Sequence, residues 1–239
     1  MKNYYSDNKR TVIDTVILIA AIIVTALLLQ FYDVSEYIYE FSQKHEEYEL
    51  DEIILTIAIS SLYLSIYTLR RFADLKRFVI QANTDPLIGI LNRRKGSDLI
   101  KRAIDRSSML DEPSSIIMFD IDNFKNINDI YGHNTGDYVL KETTSIIKDQ
   151  SRENDVFIRW GGEEFLILCP KTNLDSAYKL AERFRESIEK HQFKKLIRVT
   201  ASFGVIELNH HESLRSQIDR ADSNLYASKR KGKNQVTKS

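Results

Sequence analysis

The order of apolar and polar positions changes character twice along the chain. From Val16 to Leu29 the run VILIAAIIVTALLL holds Thr25 as its one polar residue, and uncharged positions continue to Tyr32. At about 1.5 Å per residue, Thr11 to Tyr32 would cover a hydrocarbon core of roughly 30 Å, and the run presents no polar face. A second uncharged run, Ile53 to Leu69, is shorter and carries Ser60, Ser61, Ser65 and Thr68, whose hydroxyls can bond back within a helix. The pattern predicts two membrane spans. The loop between them, Asp33 to Glu52, holds eight acidic residues with Lys44 as its one basic residue. Lys2, Lys9 and Arg10 precede the first run, and Arg70, Arg71, Lys76 and Arg77 follow the second, which puts both termini on the cytoplasmic side.

Beyond the second run, Phe72, Leu75, Val79 and Ala82 repeat with 3-4-3 spacing. That is the a/d seam of a two-stranded coiled coil, and a helix lying on a neighbour would show the same stripe. From Thr84 onward, helical and strand patterns interleave. Helix is predicted over 92–108, 135–150, 174–190 and 214–230, and strand over 115–120, 156–160, 164–169 and 198–208. This order describes an α/β fold with one mixed sheet covered by helices. The organisation read from the chain is a two-helix anchor over 1–70, a helical linker over 71–83 and an α/β domain over 84–239.

Composition narrows the function. The 239 residues hold 34 Lys and Arg against 34 Asp and Glu, so the basic excess that sequence-independent binding of a nucleic-acid polymer needs is absent. Cys169 is the one cysteine, which excludes an intramolecular disulfide and a cysteine zinc cluster. No Gly-x-Gly-x-x-Gly or P-loop occurs.

Two segments concentrate chemistry. Asp120-Ile121-Asp122 ends the buried strand predicted over 115–120, just where the amides of Asn123, Phe124 and Lys125 begin a helix. A divalent metal on a carboxylate and a phosphate on a helix N-terminus are natural partners there. Trp160-Gly161-Gly162-Glu163-Glu164-Phe165 reads as two strands joined at adjacent glycines, followed by two acids. If that hairpin pairs beside the first strand, Glu163 and Asp120 converge as hard oxygen ligands of the kind Mg²⁺ accepts. Acids beside a tight turn can also be solubilising edge charges.

Gly161-Gly162-Glu163-Glu164-Phe165 resembles the signature of the GGDEF family of diguanylate cyclases, in its G-G-E-E-F form. The similarity extends to Thr84-Asp85-Pro86-Leu87 with Leu91-Asn92-Arg93-Arg94, to FDIDNFKNINDIYGHNTGD (Phe119 to Asp137), to Ala201-Ser202-Phe203-Gly204 and to the closing ADSNLYASKRKGKN. It runs from about Thr84 to the C-terminus. Ile88 stands where the family has threonine, Lys233 where arginine is common, and Asn123 where an aromatic or histidine is frequent.

The resemblance implies an enzyme that condenses two GTP into cyclic di-GMP and two pyrophosphates, each subunit of a homodimer presenting one GTP. It implies Mg²⁺, two per site with Mn²⁺ able to substitute, held by Asp120, Glu163 and the Ile121 carbonyl. Amides at Asn123, Phe124 and Lys125 would cradle phosphates, Asn128 and Asp137 would read guanine, and Lys229 and Lys233 would steady the triphosphate. Glu164 would help deprotonate the attacking 3′-hydroxyl. Arg152-Glu153-Asn154-Asp155 matches the family's R-x-x-D inhibitory site, with Arg183 as a further contact, where cyclic di-GMP would feed back. With the two apolar runs, the resemblance places the protein in a bacterial inner membrane, multi-pass, with its catalytic domain cytoplasmic. A receptor that binds cyclic di-GMP or GTP without turnover is the alternative. A maker of adenine-containing dinucleotides is disfavoured by Asp137, whose carboxylate accepts from guanine N1–H and its amine.

Overall fold

A computed structural model describes residues 18, 20, 22–25, 27, 30, 34–44, 50–110, 112–194 and 197–239. The chain divides into two compact units, 1–78 and 79–239.

In the first unit, α1 (Val34–Lys44) occupies much of the segment expected to be a connecting loop. Glu36 in its first turn and Lys44 in its last complement the helix dipole, and Tyr37 stacks on Phe41 at 6.4 Å. The second helix, α2 (Leu50–Asn83), contains the shorter uncharged run and continues through the linker into the second unit. Its hydroxyls bond back along the helix as expected: Ser61 to the Ala58 carbonyl at 2.8 Å, Ser65 to Ser61 at 2.8 Å and Thr68 to Ser65 at 2.9 Å.

The expectation of membrane spans is corrected here. Among the described residues no helix is long and apolar enough to cross a membrane. In α2 the uncharged stretch covers roughly 25 Å at about 1.5 Å per residue. It is bounded by Asp51 and Glu52 on one side and Arg70 and Arg71 on the other, and its serine, threonine and tyrosine hydroxyls lower its hydropathy. The second span and the multi-pass inner-membrane placement are thereby overturned. The first apolar run, with Lys2, Lys9 and Arg10 before it, falls largely outside the described residues.

The second unit is built on strand β2 (Ser115–Ile121), every residue of which is buried. Alternation sends Ile117, Phe119 and Ile121 to one face and Ile116 and Met118 to the other, so both faces need a cover. The first face is covered by α4 (Phe124–Tyr131), α5 (His133–Asp149) and α6 (Leu174–Lys190), which contribute Phe124, Val139, Ile147, Phe184 and Ile188. The second is covered by α3 (Arg93–Leu110) and α7 (Leu214–Arg230), with Ile100, Ile104, Ala221 and Leu225. Phe119 stacks between Phe165 at 4.9 Å and Phe203 at 5.2 Å, joining three strands at the centre of the sheet.

The remaining strands are β1 (Leu91–Asn92), β3 (Val156–Arg159), β4 (Glu164–Cys169), β5 (Ala201–Glu207) and β6 (Val236–Lys238). The sheet order is β1-β3-β4-β2-β5-β6. It is mixed: β2 is antiparallel to both neighbours, while β1 on β3 and β6 on β5 are parallel. The predicted α/β fold with a mixed sheet under helices is therefore present. β1 and β6 were not expected, because two or three residues carry no periodicity. The strand expected over 198–208 contracts to Ala201–Glu207. The bounds of α6 and α7 coincide with expectation, since Asn173 and Ser213 cap them by accepting from the Ser176 and Ser216 amides.

Candidate active site

The register of the two central strands sets the site. Asp120 pairs with Glu164 across β2 and β4 and with Ser202 across β2 and β5. Because β2 is covered on both faces, the side chain of Asp120, the last residue but one of the strand, is buried, 4% exposed. Lys229, from the last turn of α7, places its Nζ 2.8 Å from Asp120 Oδ2. Burial pushes the Asp120 carboxyl up to about 6; Lys229 pulls against that rise, and the charges of Glu163 and Glu164 add to it. Glu163 is also raised, again by burial first, with Lys229 opposing and Glu164 reinforcing. Acids so crowded are stabilised in their charged form by a cation, and Lys229 supplies one positive charge.

The hairpin that delivers Glu163 and Glu164 is closed by the amides of Trp160 and Gly161, which donate to the Glu164 carbonyl at 2.9 and 3.1 Å. A Cβ on Gly161 would come 2.5 Å from Glu164 Oε2, so the absence of a side chain there makes room for that carboxylate. The turn is held from outside by Arg159. Its Nη2 donates to the Gly162 carbonyl at 2.6 Å, its Nε to the carbonyls of Gly161 and Gly162 at 3.2 and 3.1 Å, and its Nη1 to both oxygens of Asp85 at 3.0 Å. Asp85 in turn accepts from the amides of Leu87 and Ile88. Arg159 was not singled out from the sequence; its position two residues before the glycines is the one local signal.

Beside the carboxylates, Ile121 closes β2 and Asn123 turns the chain into α4 in the left-handed conformation, φ 56° and ψ 30°. No side chain caps α4, so the amides of its first turn, near Phe124 and Lys125, have no side-chain acceptor. Phe124 is buried in the core and Lys125 is exposed. Lys233 donates from Nζ to Asn123 Oδ1, which brings the C-terminal segment onto the start of α4. Asn128 packs so closely on α5 that a Cβ on Gly136 would lie 1.9 Å from its Oδ1. Asp137 is the next residue and is half-buried. Asn128 and Asp137 thus belong to one small region formed by α4 and α5.

Asp122 is a residue whose role the sequence did not disclose. Its buried carboxylate accepts from Thr200 Oγ1 at 2.7 Å, Ser202 Oγ at 2.7 Å and the Asn234 amide at 3.0 Å. Its oxygens are engaged by the protein, so it serves as a strut that joins the end of β2 to β5 and the C-terminal segment.

The donors fit a divalent cation. Asp120, Glu163 and the Ile121 carbonyl are hard oxygens, and both carboxyls are raised first by burial, with Glu164 adding to each. Among the described residues no group of three or more His, Cys, Asp or Glu is placed to hold a metal. The chain offers two carboxylates, the number Mg²⁺ typically takes from a protein when substrate phosphates complete its shell.

Away from this site, Arg152 and Asp155 close a tight turn. The Arg152 amide donates to Asp155 Oδ2 at 2.8 Å, and the Asp155 amide to the Arg152 carbonyl at 3.0 Å. Arg183 reaches across from α6 to the Gln150 carbonyl at 2.6 Å. Burial raises the Asp155 carboxyl, opposed by the Arg152 amide and by the charges of Arg152 and Arg183. The three residues named for an inhibitory site are therefore neighbours. Cys169 is fully buried in the core, and burial raises its thiol.

This fold, with a G-G-E-E-F hairpin set against an acidic strand end, defines the class. The chain belongs to the GGDEF-domain diguanylate cyclase family: residues 82–235 match the family described as "Diguanylate cyclase, GGDEF domain". It is 46% identical over 138 residues to diguanylate cyclase A of Treponema denticola, covering 56% of this chain and 37% of that one. To diguanylate cyclase DgcM of Escherichia coli it is 38% identical over 155 residues, covering 65% of this chain and 38% of that one. The chain thus spans under two fifths of the length of these curated relatives. Among solved structures, the coiled coil and GGDEF domain of DgcB from Caulobacter crescentus in complex with c-di-GMP is similar with a TM-score of 0.71. It is 30% identical, and the match covers 75% of this chain and 98% of that one.

Proposed function

We propose that this protein is a diguanylate cyclase, a nucleotidyltransferase that condenses two GTP into cyclic di-GMP with release of two pyrophosphates. The observation that carries this reading is the meeting of Asp120, Glu163 and Glu164 at one hairpin, with Lys229 on Asp120. The family membership supports the same activity.

In each of the two transfers, the 3′-oxygen of one GTP forms a bond to the α-phosphorus of the other. The bond from that phosphorus to the pyrophosphate oxygen breaks, and the hydroxyl proton leaves. Asp120, Glu163 and the Ile121 carbonyl would hold Mg²⁺, two ions per site with Mn²⁺ able to substitute. When bound, the metal polarises the α-phosphate and neutralises the departing pyrophosphate. Glu164, folded over Gly161, is the residue that receives or relays the hydroxyl proton. The amides at Asn123, Phe124 and Lys125 bind the β and γ phosphates, with Lys229 and Lys233 adding charge. Asn128 and Asp137 select guanine. Because the donor and acceptor GTP sit on separate sites, the reaction needs a homodimer. The linker stripe of Phe72, Leu75, Val79 and Ala82 is exposed in the single chain and is suited to a parallel pair. The Arg152, Asp155 and Arg183 cluster suits a guanine nucleotide with phosphate, and cyclic di-GMP there provides feedback.

The deciding experiment is incubation of the full-length protein with GTP and Mg²⁺, with mass analysis of the products and Glu163→Ala in parallel. Cyclic di-GMP from the wild type and none from the variant is expected. A wild type that binds GTP or cyclic di-GMP yet makes no dinucleotide would establish a receptor instead.

A further inference from the structure

Three consecutive residues after α7 have positive φ: Gly232 at 120°, Lys233 at 65° and Asn234 at 47°. For the two non-glycine residues this backbone is sparsely populated and persists where the surroundings determine it. Here they do so through Asn234. Its amide N–H donates to Asp122 Oδ2 at 3.0 Å, its Nδ2 donates to Glu189 Oε1 at 2.9 Å, and its Oδ1 accepts from Arg185 Nη1 at 3.2 Å. Arg185 is itself held by Glu182 at 2.8 Å and Glu189 at 2.9 Å, all on α6. At its far end Asp122 is fastened by Thr200 and Ser202. The tether therefore runs from α6 through Asn234 to Asp122, two residues after Asp120. Lys233, caught between the tether and the Ser228 carbonyl that accepts its amide at 3.1 Å, is directed back to Asn123 at the start of α4.

We propose that Asn234 is a positioning residue for the nucleoside triphosphate, with Arg185 and Glu189 as its supports, and that it sets Lys233 over the α4 amides where the β and γ phosphates bind. The inference rests on the cyclase reading of the site and extends it to residues on α6 that touch no substrate. The geometry is specific to the phosphate end. Asn128 and Asp137 lie on α4 and α5, and among the described residues no hydrogen bond joins their side chains to Asn234, Arg185 or Glu189, so the tether is expected to act on the phosphate end more than on guanine.

The test uses the full-length protein, Mg²⁺ and two probes: α,β-methylene GTP, which cannot release pyrophosphate, and GMP, which lacks the β and γ phosphates. Asn234→Ala is expected to weaken the methylene analogue about tenfold and GMP less than about twofold. Asn234→Gly retains the left-handed backbone without the amide and is expected to match the alanine variant, which separates the tether from backbone strain. Glu189→Ala, at an exposed position, is expected to lose about threefold on the analogue alone. Asn234→Asp combined with Glu189→Gln reverses the donor of that bond while Arg185 still donates, and it is expected to recover most of the affinity.

Equal binding of the analogue by wild type and Asn234→Ala would overturn the proposal, as would equal losses on analogue and GMP. A wild type that binds the analogue but makes no cyclic di-GMP from GTP would remove the cyclase function and leave the positioning role standing. A wild type that makes cyclic di-GMP, beside an Asn234→Ala variant with unchanged analogue affinity, would remove the positioning role alone.

Discussion

Arg159 lies 74 positions after Asp85 and donates to both of its carboxylate oxygens at 3.0 Å. The same guanidinium holds the carbonyls of Gly161 and Gly162, so the segment following α2 and the signature hairpin are fastened to one side chain. Both partners are mostly buried, with 16% and 15% side-chain exposure, which keeps the pair from being screened as a surface bridge would be. Arg159→Ala is expected to destabilise the second unit by about 2 kcal/mol, because Asp85 and two turn carbonyls lose a charged donor. Arg159→Lys should recover less than half of this, since an ammonium cannot serve Asp85 and the turn together. Denaturant unfolding of the three proteins measures the difference. A lysine variant as stable as wild type would show that the fork is dispensable.

Asp120 makes stability depend on pH with a defined sign. Its folded pKa, about 6, lies above the ordinary carboxylate value near 4, so the protonated form is favoured by folding. Its contribution is fully present below the unfolded pKa and is lost as pH rises through about 6. Without divalent metal, Asp120→Asn is therefore expected to raise the melting temperature at pH 7.5 by a few degrees, about 1–2 kcal/mol, and to make no difference at pH 4. Melting curves with chelator at both pH values check this.

If Asp120 and Glu163 hold Mg²⁺ as proposed, the same titration governs its binding. Protons compete for Asp120 and Glu163, both of which are raised. The stabilisation by Mg²⁺ in thermal melts is expected to be full at pH 7.5, to be reduced to about half near pH 6 and to vanish by pH 5. Glu163→Gln should abolish most of it at every pH. A Mg²⁺ response independent of pH between 5 and 7.5 would place the cation elsewhere.

Gly136→Ala probes the guanine site proposed at Asn128 and Asp137. Alanine is the better helix former by about 1 kcal/mol. Its Cβ would meet Oδ1 and Cγ of Asn128 at 1.9 and 2.9 Å and the buried Phe124 ring at 3.2 Å, all side-chain atoms, so Asn128 is displaced while the ring gives by a few tenths of an ångström. Affinity for GTP is expected to fall at least about tenfold while the melting temperature stays within about two degrees. Calorimetric titration and a melt on the same sample separate the two quantities.

Arg152→Ala is expected to weaken cyclic di-GMP binding at least about tenfold, since a guanidinium able to fork to phosphate and stack on guanine is removed from beside Asp155 and Arg183. Progress curves should then lose their late slowing. Equal product affinity in wild type and variant would move the feedback site elsewhere.

Local pattern determined a large part of this molecule. The apolar strand Ser115–Ile121 and the glycine turn before Glu163 each act within a few residues, so periodicity and turn chemistry disclosed them, whereas the caps Asn173 and Ser213 were seen only in the structure. That Asp120, Glu163 and Glu164 would come together as a candidate site was legible because strand ends and hairpins place side chains by local rules. The tertiary structure alone decided what joins distant segments. The strand order β1-β3-β4-β2-β5-β6 carries Arg159 to Asp85, and Asp122 reaches Asn234 across 112 positions. It also decided that α2, though uncharged over its middle, is no span, and that 34–44 is a helix and not a loop. The physical reason is the same in each case. A hydrogen bond between residues far apart depends on how sheet and helices stack, and no window of sequence contains both partners.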